Sequence, residues 1–400
     1  MKKSIAIVGS GPAALMLAAS LNEAVYDVTI FEKNSAPARK FLVAGKGGFN
    51  LTHSEPTDFF CTRYTPAPFL EPFIRHFTNA DLRNWFASIG IPTYVGTSKR
   101  VFPERGIKPI QVLDAILQTL KTKHIKFSFS HEWIGWDSAK RLLFLHQGAR
   151  HTITSDLVVF ALGGNSWKIT GSDGSWAGLF EQEGIHLVPF QPSNCAFGIK
   201  WSDSFLQTCE GKPLKNISIR CGTNIKTGEV AITRFGLEGS GIYALSPQIR
   251  DRLSREGFAS LDLDLKPDLR VEEIVLRLKN RRANKSVTKL LQDSLNLDKT
   301  KIALLKYSLS REEYLDPSVL MTKIKHLTLH VDSLAPIDEA ISTVGGIALD
   351  EVDEHLGLKK IPNTYVIGEM LDWDAPTGGY LLQACFSMGH SLALHLNNLS

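Results

Sequence analysis

The segment Gly9-Ser10-Gly11-Pro12-Ala13-Ala14 constrains the fold more than any other stretch of the chain. It follows the β-branched run Ser4-Ile5-Ala6-Ile7-Val8, which has the continuous apolar character of a strand buried in a parallel sheet. It precedes Leu15 to Leu21, rich in Ala and Leu and readable as a helix. A glycine turn between a strand and a helix N-terminus takes the G-x-G-x-x-A form. Gly9 permits the tight turn, Gly11 lets backbone approach a pyrophosphate, and Ala13 or Ala14 allows close helix packing. The unpaired N–H groups and positive dipole end of the helix then favour an anion without any basic side chain. A second strand, Val28-Thr29-Ile30-Phe31, delivers Glu32, whose carboxylate can accept hydrogen bonds from ribose hydroxyls and disfavours a 2′-phosphate. This unit reads adenosine diphosphate, which FAD and NAD share, so the choice between them rests on the remainder of the chain.

At 400 residues the chain exceeds the usual single-core limit, and a large domain carrying an inserted or appended one is expected. A formal charge of +4 is small for this length and supports no nucleic-acid platform. The cysteines, Cys61, Cys195, Cys209, Cys221 and Cys385, form no C-x-x-C pair, which argues against a disulfide scaffold or a zinc site and fits a reducing compartment. Met1-Lys2-Lys3 followed by apolar residues imitates a signal peptide, but Gly9, Gly11 and Pro12 interrupt what should be a continuous apolar region. No stretch reaches the roughly 18 apolar residues of a membrane span. The expected setting is the cytoplasm, with neither membrane nor nucleic acid as partner and the oligomeric state open.

Three further segments concentrate glycine. Arg39-Lys40-Phe41-Leu42-Val43-Ala44-Gly45-Lys46-Gly47-Gly48-Phe49-Asn50-Leu51-Thr52 is basic, then flexible, then polar, and suits a loop that lays backbone amides and Lys40 along a pyrophosphate and brings Asn50 to a ring system. Asp156 to Phe160 is an apolar strand ending in Ala161-Leu162-Gly163-Gly164, where backbone must pass close to something. Tyr365-Val366-Ile367-Gly368-Glu369-Met370-Leu371-Asp372, followed by Thr377-Gly378-Gly379-Tyr380-Leu381-Leu382-Gln383-Ala384, reads as a strand returning to the sheet and then a helix.

Together these segments, spread over almost the whole chain, resemble those of the BaiN/RdsA-type (aminoacetone-oxidase-like) family of NAD(P)/FAD-dependent oxidoreductases, which includes BaiN-type bile-acid reductases. The resemblance implies an α/β fold: a glutathione-reductase-type Rossmann FAD-binding domain interrupted by a β-rich insertion with a helical subdomain. It places Gly368, Glu369 and Asp372 near the ribityl–phosphate portion of FAD and Gly379 near the flavin ring. The full expected cofactor set is Gly9, Ser10, Gly11, Pro12 and Ala13 in the first turn; Glu32 and Lys33 after the second strand; Lys40, Gly45, Lys46, Gly47, Asn50, Leu51 and Thr52 in the glycine loop; then Trp133, Ala161, Gly163, Gly368, Glu369, Asp372, Gly379 and Tyr380. The loop departs from the commoner family reading G-G-G-R-C-N at Lys46, Gly48 and Phe49, and Leu381 stands where G-G-Y-N-L-Q has Asn. No substrate is therefore carried over.

The expected FAD-binding domain covers residues 1–188 and 336–400, and the expected substrate or cap domain covers 189–335. Within the latter, Ile217-Ser218-Ile219-Arg220-Cys221 and Glu229-Val230-Ala231-Ile232-Thr233-Arg234 predict a hairpin with Lys226-Thr227-Gly228 as its turn. Gly236-Leu237-Glu238-Gly239-Ser240-Gly241 predicts a structural loop opening onto a helix from Ile242 to Leu253, not a second nucleotide site. Residues 268–326 predict short helices. Their basic run, Lys279, Arg281, Arg282, Lys285 and Lys289, reads as a solvated face because no aromatics are interleaved with it. His326 and His330 alternate with apolar residues as in a strand, and no metal site is expected. The expected activity is FAD-dependent hydride transfer to or from a small molecule. NAD(P)H is the favoured donor as a transient co-substrate, and no catalytic acid or base is assigned; Trp167 joins Lys46, Asn50 and Tyr380 as a pocket residue. The competing reading is a non-catalytic or RNA-associated flavin-binding protein.

Overall fold

The N-terminal apolar run becomes β1 (Lys3–Val8), whose last four residues are buried, and the glycine turn leads into α1 (Pro12–Ser20). Alanines and leucines surround α1 on all sides, and seven of its residues are buried, the behaviour of a helix sealed inside a core. The computed structural model describes residues 2–43, 48–279 and 286–399. β1 pairs in parallel with β2 (Tyr26–Glu32) on one side. After α2 (Arg39–Val43), β3 (Lys126–Phe129) pairs with β2, and β4 (Leu157–Phe160) pairs with β1 on its other side. β5 (Thr364–Val366) closes a five-stranded sheet in the order β5-β4-β1-β2-β3, every pairing parallel. α3 (Tyr380–Asn398) packs along α1 and ties its own C-terminal turns to it through Ser20 and Asn397. Between β3 and β4 the strands Glu132–Trp136, Leu142–His146 and Ala149–Ile153 form an antiparallel meander.

The chain divides into two compact units, Met1–Pro192 with Ile337–Ser400, and Ser193–Pro336. The second is built on a seven-stranded antiparallel sheet with its own apolar core. Its central hairpin, Pro213–Cys221 with Asn224–Thr233, turns at Gly222-Thr223, and Lys226, Thr227 and Gly228 lie inside the second strand opposite Ile219, Ser218 and Ile217. This corrects the expected turn. The earlier turn is the one that sets Ile217, Ile219 and Cys221 on the same buried face as Val230 and Ile232. The expected loop at 236–241 holds a short strand, Gly236–Glu238, and the helix after it is broken into Ser240–Tyr243 and Ser246–Glu256, with Pro247 in the first turn of the second piece. Short helices fill Val271–Lys279, Val287–Leu295, Lys299–Ser308, Arg311–Leu315 and Pro317–Lys325. Arg281, Arg282 and Lys285 lie outside the described residues. Leu327–Val331 is a strand with alternating burial that exposes His330. Among the described residues no helix is long and apolar enough to cross a membrane, and no group of three His, Cys, Asp or Glu could hold a metal ion.

Candidate functional site

A cavity of about 350 Å³ opens where β1, β2 and β4 end. Its floor is the first turn: Gly9, Ser10, Gly11, Pro12 and Ala13 all line it. Gly9 has φ +98°, and a Cβ there would stand 2.4 Å from the Ala161 carbonyl oxygen, so the turn requires glycine. Gly11, the N-cap of α1, offers no side-chain cap, and no acidic residue occupies the first turn. The first turn of α1 thus brings no acidic side chain to the positive end of the helix.

Glu32 is buried at the rim. Its carboxylate accepts from Ser10 Oγ at 2.5 Å and from the backbone and side-chain nitrogens of Asn34, both at 2.8 Å. These bonds fix the carboxylate and leave lone-pair capacity for another donor. Lys33 pairs with Asp173 at 2.8 Å. Burial pushes the Asp173 carboxyl up, but hydrogen bonds from Lys33 and Ser175 outweigh it and hold it below its ordinary value. Lys40 reaches across to Glu369 Oε2 at 2.8 Å and Ser166 Oγ at 2.9 Å. The remaining wall is largely apolar. Trp133 is held among Trp136, Phe160 and Phe180, and its buried indole N–H has no acceptor in the described residues. Burial pushes the Cys385 thiol up, and the nearby Glu369 adds to the shift.

A second polar cluster in the same unit forms at the start of α3. Arg63 grips Glu55 through two hydrogen bonds of 2.9 and 2.7 Å, and the Tyr380 hydroxyl donates to Glu55 Oε1 at 2.6 Å. His53 stacks on Tyr380 at 5.2 Å between ring centroids. Burial pushes Glu55 up, but the bonds from Arg63 and Tyr380 hold its carboxyl below its ordinary value; burial lowers His53 and raises Tyr380. Thr52 Oγ1 donates to Gln383 Oε1 at 2.7 Å, and Gln383 Nε2 donates to the Phe77 carbonyl. Gly379, at φ +103°, caps α3 so close to Thr52 that a Cβ would meet its backbone at 2.5 Å.

Of the expected residues, Gly9, Ser10, Gly11, Pro12, Ala13, Glu32, Lys33, Lys40, Trp133, Ala161, Gly163, Gly368 and Glu369 line the cavity. Thr52, Gly379 and Tyr380 belong to the second cluster, with Asn50 and Leu51 leading into it. Asp372 accepts from the Gly345 amide at 2.9 Å. Gly45, Lys46 and Gly47 lie outside the described residues. Trp167 adopts a left-handed conformation before the short helix Lys168–Thr170. Beyond the expected residues, the cavity takes in Asn34, His131, Asp173, Trp176 and Cys385, and the cluster takes in His53, Glu55 and Arg63. Asn34 alone had a local signal, its place directly after the acid that ends β2.

The family model described as HI0933-like protein Rossmann domain matches residues 3–395. The chain is 25% identical to a 3-dehydro-bile acid delta(4,6)-reductase of Clostridium scindens, over 96% of this chain and 97% of that relative. It is 23% identical to the ribosomal RNA dihydrouridine synthase of Haemophilus influenzae, over 98% of each. Among solved structures, the open conformation of a flavocytochrome c3 fumarate reductase superposes with a TM-score of 0.50 at 15% identity, over 98% of this chain and 78% of that one, a likeness of fold.

Proposed function

The chain belongs to the family described as HI0933-like protein Rossmann domain, and from that premise we propose that its cavity holds the adenosine diphosphate portion of FAD. The protein is an FAD-dependent oxidoreductase. The observation that carries the cofactor reading is the junction of an uncapped helix N-terminus, the backbone cradle of Gly9 to Ala13 and the fixed carboxylate of Glu32 in a single cavity. These groups fit the cofactor chemically. The α1 amides bind phosphate, Glu32 accepts from a ribose hydroxyl, and the Trp133 and Trp176 walls exclude water from the base. At the other end we assign Asn50, Leu51, Thr52 and the main chain of Gly379 and Tyr380 to the ring, where the positive end of α3 would favour the reduced, anionic form. Bound flavin supplies hydride transfer.

The names of the Clostridium scindens and Haemophilus influenzae relatives both describe adding hydrogen across a carbon–carbon double bond. We therefore take the substrate to be an electron-poor double bond conjugated to a carbonyl in a small molecule, and the donor to be NAD(P)H. All five cysteines are free and buried, which supports a reducing, cytoplasmic setting. The Haemophilus influenzae relative favours a second reading, in which the double bond belongs to a base in RNA.

The visible spectrum of the purified protein, recorded before and after anaerobic addition of NADH or NADPH, tests the reading. Bands at about 370 and about 450 nm, as for any oxidised flavin, that bleach with one nucleotide are expected. Absence of flavin after reconstitution overturns the cofactor. With the reduced protein in hand, reoxidation by a small conjugated ketone supports the first substrate reading, and reoxidation by ribosomal RNA alone supports the second.

A further inference from the structure

The cavity wall is poor in net positive charge for a site that receives a diphosphate. It carries four carboxylates, Glu32, Glu132, Asp173 and Glu369, against three fixed cations, Lys33, Arg39 and Lys40. Lys33 is committed to Asp173, and the exposed Arg39 bonds the neutral side chain of Asn34 at 3.1 Å. Glu369 is the carboxylate with the most consequential position. A Cβ built on its neighbour Gly368 would lie 3.3 Å from Ala13 Cβ, so this segment packs against the first turn of α1. A carboxylate that lines the same cavity as an uncapped helix N-terminus is itself an anion suited to that end. Left free, this carboxylate would compete with an incoming phosphate for one positive end.

Lys40 holds the Glu369 carboxylate. Its ammonium is held by Glu369 on one side and by the fully buried Ser166 on the other, and Ser166 donates in turn to the Ile341 carbonyl at 3.4 Å. The ammonium thus has a fixed seat rather than a solvated arm. We propose that Lys40 is a positioning residue that neutralises Glu369 and keeps its carboxylate away from the start of α1, so that the cavity selects a diphosphate over an uncharged nucleoside. The inference rests on the reading that this cavity takes the adenosine diphosphate end of the cofactor.

The test is calorimetric titration of the full-length, nucleotide-free protein with ADP and with adenosine, circular dichroism confirming that each variant is folded. The parent should bind ADP more tightly than adenosine. Lys40→Met should weaken ADP roughly tenfold or more, the scale of a lost charge-assisted bond, while adenosine changes less than about twofold. Adding Glu369→Gln to Lys40→Met should restore most of the ADP affinity. Glu369→Gln alone leaves Lys40 in place and should tighten ADP without changing adenosine, so the proposal stays exposed even where Lys40→Met does not fold. Equal losses for ADP and adenosine in Lys40→Met, or weaker ADP binding in Glu369→Gln, would show Lys40 to be a structural strut and overturn the inference. A parent that binds neither ADP nor FAD removes the cofactor reading itself, an outcome distinct from either of these.

Discussion

The cavity and the Glu55 cluster are both buried polar settings in the same unit, yet they are built in opposite ways. In the cavity, Ser10 and Glu32 meet across 22 residues of a single strand–helix–strand unit, and the groups that bond Glu32, Ser10 and Asn34, are neutral. In the cluster, Tyr380 and Glu55 meet across 325 residues, and Arg63 and Tyr380 together engage both carboxylate oxygens of Glu55. A carboxylate bonded by neutral donors keeps its charge for a ligand, whereas one whose charge is met by a guanidinium of its own chain holds the fold.

The harshest way to break this contrast is Gly9→Val. The substitution puts a Cβ against the Ala161 carbonyl in a backbone conformation that β-branched residues avoid, and should lower stability by at least about 3 kcal/mol. Flavin per chain from the visible spectrum, and the unfolding midpoint in urea, should both fall. A variant that keeps the flavin and stability of the parent would show that the turn does not shape the cavity.

Glu55→Gln should act on the other side of the comparison, costing about 2 kcal/mol because Arg63 loses an ionic partner at a site partly open to water, while flavin content is retained. Lost flavin with unchanged stability would move the cluster into the binding machinery. The pH dependence sharpens the same point. Glu55 is held below its ordinary value of 4.5, so its contribution is present above that value and lost as pH falls through the folded one. His53, lowered chiefly by burial from 6.5, favours its neutral form in the folded protein, and its contribution is likewise lost on acidification below that value. Stability should therefore decline in acid in two stages, the histidine first. Glu55→Gln should flatten the lower stage, and an acid limb identical to that of the parent would show that Glu55 does not titrate with folding.

The same contrast explains what the sequence made legible. Glycine spacing and an apolar run fix β1, the turn and α1 through local chemistry, so the cavity floor could be read residue by residue. Asn34 could have been read too, since it follows Glu32 and bonds it. Lys40 was legible as a cation but not as the partner of Glu369, which stands 329 residues away. His53, Glu55 and Arg63 carry no spacing signal at all, because their alignment with Tyr380 exists only after the strand Thr52–His53 and α3 have come together. The misplaced hairpin turn has a related cause. Both Gly222-Thr223 and Thr227-Gly228 are acceptable turn pairs, and only the burial of the flanking isoleucines selects between them.

Tyr380→Phe gives the smallest and most discriminating effect. It removes the hydroxyl that donates to Glu55 but leaves the ring stacked on His53 and packed 4.8 Å from Phe60. Glu55 keeps both bonds from Arg63, so the loss should be about 1 kcal/mol in urea unfolding, the net value of one hydrogen bond. The Glu55 carboxyl should titrate at higher pH than in the parent, since the phenol is one of the groups that hold it down. The hydroxyl is committed to Glu55, and only the main chain of this residue is assigned to the flavin ring, so the band positions and flavin content should match the parent. A shifted flavin spectrum with unchanged stability would reverse the assignment, placing the phenol at the ring and leaving Arg63 alone to hold Glu55.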